Sequence, residues 1–315
     1  MNEVSEWVAR ARAGEPRAVA RLISWVEDGS PDVAEVMALL APTSGTAHVI
    51  GLTGSPGVGK STTTSALVGA LRARGNRVGV IAVDPSSPFS GGALLGDRIR
   101  MQEHATDPGV FIRSMASRGH LGGLSATTPQ ALRVLEAAGC DVILIETVGV
   151  GQSEVEVAAA ADTTIVLLAP GMGDGIQAAK AGILEIADVL CVNKADRDGA
   201  DTTMRELRHM IALGERSSSA WEVPVVKSVA STGVGIPELL DLLDKHFAWL
   251  TETGELTSRR ERRAAEEISA LAIAALKRRL AAQEPELLAD LAKAVVEGQL
   301  DPHAAAAQWV ERLLA

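Results

Sequence analysis

Residues 48–62 read HVIGLTGSPGVGKST, a short apolar run that stops in a glycine-rich loop and resumes at a lysine. The run 48–53 has the length and apolar continuity of a parallel strand buried on both faces. Gly54-Ser55-Pro56-Gly57-Val58-Gly59-Lys60-Ser61 then matches the pattern G-x-x-x-x-G-K-[ST] in full. Glycines let such a loop wrap until successive backbone N–H groups point inward at phosphate oxygens. A helix is expected from Lys60 to about Arg74, closed by Gly75. Its amino end turns a partial positive charge toward the same anion. In that arrangement Lys60 reaches the β- and γ-phosphates, the Ser61 hydroxyl ligates Mg²⁺, and Thr62 completes the nucleotide contacts.

Six more apolar runs follow: RVGVIAVD (77–84), VFIRSM (110–115), DVILIET (141–147), TTIVLLAP (163–170), VLCVNK (189–194) and VPVVKSVA (223–230). Helix-period segments over 129–138, 154–161, 176–187, 202–213 and 237–250 lie between most of them. Strands alternating with helices imply crossover connections and a mostly parallel sheet covered by helices on both faces, the α/β fold of a P-loop NTPase. Three short helices are expected before it, with apolar positions Val4, Val8 and Ala11, then Val19, Leu22 and Val26, then Val33, Val36 and Leu40. After about Thr251 the strands stop, and 255–282 reads as one long helix, with further helices starting at Pro285 and at Asp301-Pro302. The expected organisation is a helical extension over 1–44, a P-loop domain over 45–250 and a second helical extension over 251–315. The stripe Ile268, Leu271, Ala275, Leu276, Leu280 on the long helix asks for a partner surface, and burial between two subunits is the expectation.

Asn193-Lys194-Ala195-Asp196 ends the run VLCV. At a strand end downstream of a phosphate loop, N-K-x-D reads guanine. The Asp196 carboxylate accepts from N1–H and the exocyclic amine, donors that adenine does not present as a pair. With adenine bound, that carboxylate loses its partners. Between the two motifs, Glu146-Thr147-Val148-Gly149 resembles a D-x-x-G element with Glu in place of Asp. Glu146 can support Mg²⁺, and the Gly149 amide can sense the γ-phosphate. The next residue, Val150, cannot orient water as a glutamine does there; Gln152 or a partner is left to supply that group. Asp84, at the end of its strand, and Asp97, in Gly96-Asp97-Arg98, are candidates for the Mg²⁺ shell or the water-orienting base. The glycine-rich loop 170–175 is a candidate switch.

Composition narrows the classes of function. The 315 residues carry 30 Lys and Arg against 40 Asp and Glu, a formal charge of -10, which argues against a broad nucleic-acid or anionic-membrane footprint. With 3 Phe, 5 Trp and no Tyr, a base-stacking platform is not expected. Cys140 and Cys191 sit inside apolar runs and read as buried free thiols. The first residues lack the apolar core of a signal peptide, and no stretch approaches 18 apolar residues, so the reading is a cytoplasmic protein.

The segments GSPGVGKS, VDPSSPFSGGALLGDRIRM, ETVGVGQSE and NKAD, in this order and between helical extensions, resemble the methylmalonyl-CoA mutase-associated GTPases. These are MeaB-type G-protein chaperones, also described as arginine/ornithine transport ATPases, and the likeness runs over about residues 5–300. The resemblance implies GTP and GDP as ligands, Mg²⁺, slow hydrolysis alone and faster hydrolysis with the mutase. It also implies a homodimer formed through the terminal helices, and control of adenosylcobalamin delivery to the mutase. By motif it places Lys60 and Ser61 on phosphate and Mg²⁺, and Asp84, Asp97 and Glu146 around the metal. It makes 171–180, with Asp174, Gln177 and Lys180, a partner-sensing switch loop. The last guanine element usually reads Ser-Ala; here the aligned pair is Val229-Ala230, before Ser231. The Ala230 amide is expected at guanine O6, with Ser228 or Ser231 left to replace the missing hydroxyl. Two competing readings are a nickel-insertion type metallochaperone and an ATPase energising amino-acid uptake. The scattered His residues (48, 104, 120, 209, 246, 303) speak against the first and NKAD against the second. A nucleotide-dependent scaffold without turnover also stays open, because Val150 leaves the water-orienting role unfilled.

Overall fold

The computed structural model describes residues 2–84, 101–116, 127–147, 153–171, 184–213, 221–283 and 286–314. Its centre is a sheet of seven strands: β1 His48–Thr53, β2 Val78–Asp84, β3 Val110–Ala116, β4 Val142–Thr147, β5 Thr163–Leu168, β6 Val189–Val192 and β7 Val225–Lys227. The order is β3-β2-β4-β1-β5-β6-β7 and every pairing is parallel. From β1 the chain moves toward β2 and β3, and from β4 it crosses β1 to reach β5. The direction of winding therefore reverses at β1, and ligands of open parallel sheets sit outside the carboxyl ends of strands at such a reversal. The run 223–230 yields only a three-residue strand. Ser228 N still donates to Val192 O at 2.9 Å, but Val229 N turns to Val234 O, which closes a turn.

Alternate strand residues serve two cores. Val49, Ile81, Val83, Phe111, Met115, Ile143 and Ile145 pack on one face. Helices α1 Glu3–Arg12, α2 Pro16–Asp28, α3 Val33–Leu40, α5 Thr128–Ala137 and α6 Ser153–Ala160 cover it, through buried Val8, Leu22, Ile23, Leu40, Leu135 and Val157. Ile50, Leu52, Val80, Leu144, Ile165 and Leu167 fill the other face beneath α4 Lys60–Ala73 and α8 Ile236–Thr253. Toward the β6 edge, Val166, Leu168, Leu190 and Val192 pack against Leu207 of α7 Ala200–Leu213. Each fully buried Leu or Ile contributes about 2 kcal/mol. The first three helices therefore belong to the core of the sheet domain. Pro16 starts α2 and Gly29, at φ 63, stops it.

The chain divides into two compact units, 1–259 and 260–315. Helix α9, Glu255–Gln283, starts in the first unit and continues into the second, which also holds α10 Leu287–Val296 and α11 Pro302–Leu314. Among the described residues of the second unit, Leu291 and Ala305 are the buried apolar side chains. Ile268, Leu271, Ile273, Leu276, Leu288, Val296 and Val310 are exposed. No helix among the described residues is long and apolar enough to cross a membrane.

At the amino ends of β1, β5 and β6 lies a buried polar chain. His48 Nε2 is 2.8 Å from Thr163 Oγ1, and Thr163 Oγ1 is 2.8 Å from His246 Nδ1. His246 Nε2 is 3.3 Å from Asp188 Oδ1, and Arg259 of α9 donates to both Asp188 oxygens at 3.0 Å. Thr164 N adds a donor at 2.8 Å. The Thr163 hydroxyl bridges the two rings, donating to His246 Nδ1 and accepting from His48. Burial alone would push the Asp188 carboxyl up, but the nearby His246 ring and the hydrogen bonds from Arg259 outweigh it and hold the group below its ordinary range. The stability this supplies is present above the unfolded-state value, near pH 4, and is lost as pH falls further. Asp188→Asn should cost about 3 kcal/mol at pH 7, because it removes the carboxylate that pairs with the partly buried Arg259 guanidinium. It should also remove part of the wild-type loss of stability below about pH 4. Urea midpoints over a pH series check both.

Candidate nucleotide site

The phosphate-loop sequence 54–61 joins β1 to α4 at the centre of the carboxyl edge. Its path depends on two close approaches. Gly54 has φ 138, and a Cβ there would stand 2.2 Å from the Leu167 carbonyl oxygen of β5. Gly59 has φ 100, and a Cβ would stand 2.4 Å from Asn193 Nδ2. Only glycine takes such angles without strain and lets backbone come that near. Helix α4 then starts at Lys60, with its first N–H groups at the loop. The Lys60 ammonium is buried and donates to Gly54 O at 2.5 Å and Ser55 O at 3.1 Å. Ser55 and Ser61 are half-buried, Val58 is buried, and Pro56, Gly57 and Thr62 are exposed.

The segment 193–196 is fastened to this loop. Asn193 Nδ2 donates to Val58 O at 2.9 Å, and the Lys194 ammonium donates to Gly57 O at 2.6 Å. Lys194 takes the left-handed conformation at φ 56 to do so. Asn193 Oδ1 accepts from Ser228 Oγ and from Ala230 N, each at 3.1 Å. One carboxamide thus ties together the phosphate loop, the end of β6 and the turn after β7. The Ala230 amide, expected at guanine O6, is here donated to Asn193. The hydroxyl missing at Val229 has a neighbour in Ser228, which serves Asn193 from inside the fold; Ser231 is exposed. Cys191, beside Ser228 at 3.1 Å, is buried with its thiol pushed up to about 12 by desolvation, so it stays protonated and can donate to Ser228. Asp196 is exposed, just past the strand end.

Glu146 lies at the same edge on β4, level with Leu52 of β1 and Ala82 of β2, and is 2% exposed. Thr64, from the second turn of α4, reaches Glu146 Oε2 at 2.7 Å. Thr64 belongs to no motif in the chain. The signal for it is a hydroxyl residue on the apolar face that Leu67, Val68 and Leu71 continue. Asp84 ends β2 two residues beyond Ala82, so its backbone is at this edge. Asp97, Gly149, Val150, Gln152, Asp174, Gln177 and Lys180 fall outside the described residues. The donors at the edge are oxygens, a hydroxyl at Ser61 and a carboxylate at Glu146. That set suits a hard cation such as Mg²⁺, which typically takes one or two carboxylates beside phosphate oxygens and water.

With the loop, the winding reversal and the Asn193 brace in place, comparison with known proteins locates the chain. Residues 19–285 match the model of the family described as methylmalonyl Co-A mutase-associated GTPase MeaB. The chain belongs to the MeaB family. It is therefore a GTPase by class. A Pyrococcus horikoshii protein with a GTPase designation is 45% identical over 316 residues, covering 100% of this chain and 99% of its own length. GTPase ArgK of Escherichia coli is 38% identical, over 84% of this chain and 82% of its own. The mouse mitochondrial methylmalonic aciduria type A homolog is 41% identical, over 67% of this chain and 52% of its own. A crystal structure of an LAO/AO transport system kinase superposes with a TM-score of 0.72 at 28% identity, covering 100% of this chain and 99% of that one.

The loop geometry has a direct check. Gly54→Ala forces a side chain against the β5 backbone at a positive φ, so β1 or β5 must shift. A loss of about 3 kcal/mol in denaturant unfolding is expected.

Proposed function

We propose that this MeaB-family chain binds GTP with Mg²⁺, hydrolyses it slowly alone, and uses the cycle to gate adenosylcobalamin loading of a cobalamin-dependent acyl-CoA mutase. The observation that carries the nucleotide part is the fastening of 193–196 to the phosphate loop by Asn193 and Lys194. It supports reading Asp196, two residues beyond Lys194, as the base-selecting carboxylate beside the loop that would hold the phosphates. Lys60 and the amides of 54–61 take the phosphate oxygens, with Lys60 exchanging its loop carbonyls for them. Ser61 and Glu146 hold the cation, with Asp84 and Asp97 beside them. Bound there, Mg²⁺ neutralises charge that develops on the transferring phosphoryl group. Asn193 orients the base site, with Val229, Ala230 and Ser231 forming its far wall.

The family description and the name of the mouse relative support the mutase as partner. The segment 171–180, with Asp174, Gln177 and Lys180, is the proposed sensor of that partner. Val150 carries no group able to orient water, so the docked mutase is assigned the role of completing the site. The exposed apolar residues of the second unit, Ile268, Leu271 and Leu276 among them, support a homodimer formed through the C-terminal helices. The cytoplasm is the proposed compartment.

Calorimetry with GDP and ADP in Mg²⁺ tests the base reading. GDP should bind at least about 100-fold more tightly, as expected for a carboxylate whose hydrogen-bond donors adenine does not supply, and Asp196→Ala should erase most of that difference. Equal affinities for the two diphosphates in the wild type would refute it. Phosphate release with and without a cobalamin-dependent acyl-CoA mutase tests the chaperone reading. The mutase should raise turnover by an order of magnitude or more, within the range that a completed GTPase site commands. Unchanged turnover would remove the mutase from the proposal.

A further inference from the structure

We infer that Thr64 is a positioning residue for the Glu146 carboxylate and thereby for the cation side of the nucleotide site. The inference rests on the reading of Glu146 as a cation ligand. Positions 64, 67, 68 and 71 of α4 share one face, and Leu67, Val68 and Leu71 are buried in the core beneath the helix. Packing alone would favour an apolar residue at 64. The chain instead places a hydroxyl there at 0% exposure, an arrangement that is costly unless the hydroxyl is hydrogen-bonded.

The Thr64 hydroxyl has two acceptors in reach, Glu146 Oε2 at 2.7 Å and the Lys60 carbonyl at 3.0 Å. An ionised carboxylate only accepts, so the bond to Glu146 takes the single Thr64 proton, and it is the shorter of the two. The Lys60 carbonyl is the fallback when the carboxylate turns away. Thr64 therefore pins one oxygen of Glu146 to the helix that carries Lys60 and Ser61. The β-branch limits the rotamers of Thr64, and the close packing around it prevents drift. The carboxylate and the Ser61 hydroxyl are then held at a set separation, one from the sheet and one from the helix. Hydrogen-bonding partners of this kind behind a metal ligand typically govern metal affinity by about 10- to 100-fold.

The test uses full-length protein and a fluorescent GDP analogue, with Mg²⁺ titrated against nucleotide retention. Thr64→Val keeps the shape and removes the hydroxyl. It should raise the Mg²⁺ concentration for half-maximal retention by about 10-fold or more. Analogue affinity in excess EDTA should stay near wild type, a pattern that a general packing defect does not produce. Thr64→Ser, which restores the hydroxyl, should return the Mg²⁺ response to within about threefold of wild type. Thr64→Ala gives a second hydroxyl-free variant should valine prevent folding. Glu146→Gln separates the two layers of the argument. If it loses the Mg²⁺ response while Thr64→Val and Thr64→Ala keep it, the positioning role of Thr64 is overturned and the cation reading stands. If Glu146→Gln also keeps the wild-type response, the cation reading fails and the Thr64 proposal fails with it.

Discussion

The Asn193 side chain joins three parts of the chain that are far apart in sequence, and the proposed nucleotide site depends on that junction. Its nitrogen donates to Val58 in the phosphate loop, and its oxygen accepts from Ser228 and Ala230 after the last strand. A carboxamide can satisfy both only in one orientation, because a flipped group would set its N–H against the Ala230 N–H and its oxygen against the Val58 carbonyl. Asn193 is buried, so failing to satisfy it would be costly. The loop, the strand end and the turn therefore keep their mutual offsets. Gly59 makes room for the amide, since any Cβ there would collide with Asn193 Nδ2. The motif glycine and the motif asparagine are two sides of one contact.

The parallel sheet makes this junction reachable. Because the strands run the same way, the ends of β1, β2, β4 and β6 all emerge at one edge and deliver Gly54, Asp84, Glu146 and Asn193 there. Both faces must be covered for such a sheet to be stable. On one face that cover includes the first three helices, whose residues Val8, Leu22, Ile23 and Leu40 share a core with β1 through β4. The opposite edge carries its own polar fastening, where Asp188 faces His246 and pairs with Arg259 while Trp221 and Trp249 pack on the His246 ring. It gives the second turn of α9 a charged anchor at the amino end of β6.

The second unit follows a different balance. Its helices bury Leu291 and Ala305 among the described residues and leave Ile268, Leu271 and Ile273 exposed, so it has little core of its own. Small helical units need either more buried area or a partner. That requirement, and not a helix propensity, motivates the proposed subunit contact.

Much of this was legible in the residues alone. The order of apolar runs and helix-period segments specified a parallel sheet, because strand and helix periods are local properties. The spacing in 54–61 specified a phosphate loop, since only glycines allow its backbone angles, and NKAD stood out because it closes a strand. Other features depended on the tertiary structure. Thr64 looked like one of three consecutive threonines until β4 placed Glu146 within 2.7 Å of it. Nothing in the local order of residues paired the Ala230 amide with the Asn193 carboxamide. Asp188, His246 and Arg259 carry no pattern, being brought together from three separate elements. Periodicity and backbone geometry are written into neighbouring residues, so sequence determined the elements and the loop. The partners of buried polar groups lie across the sheet, so only folding decided which hydroxyl, amide or guanidinium would meet each of them.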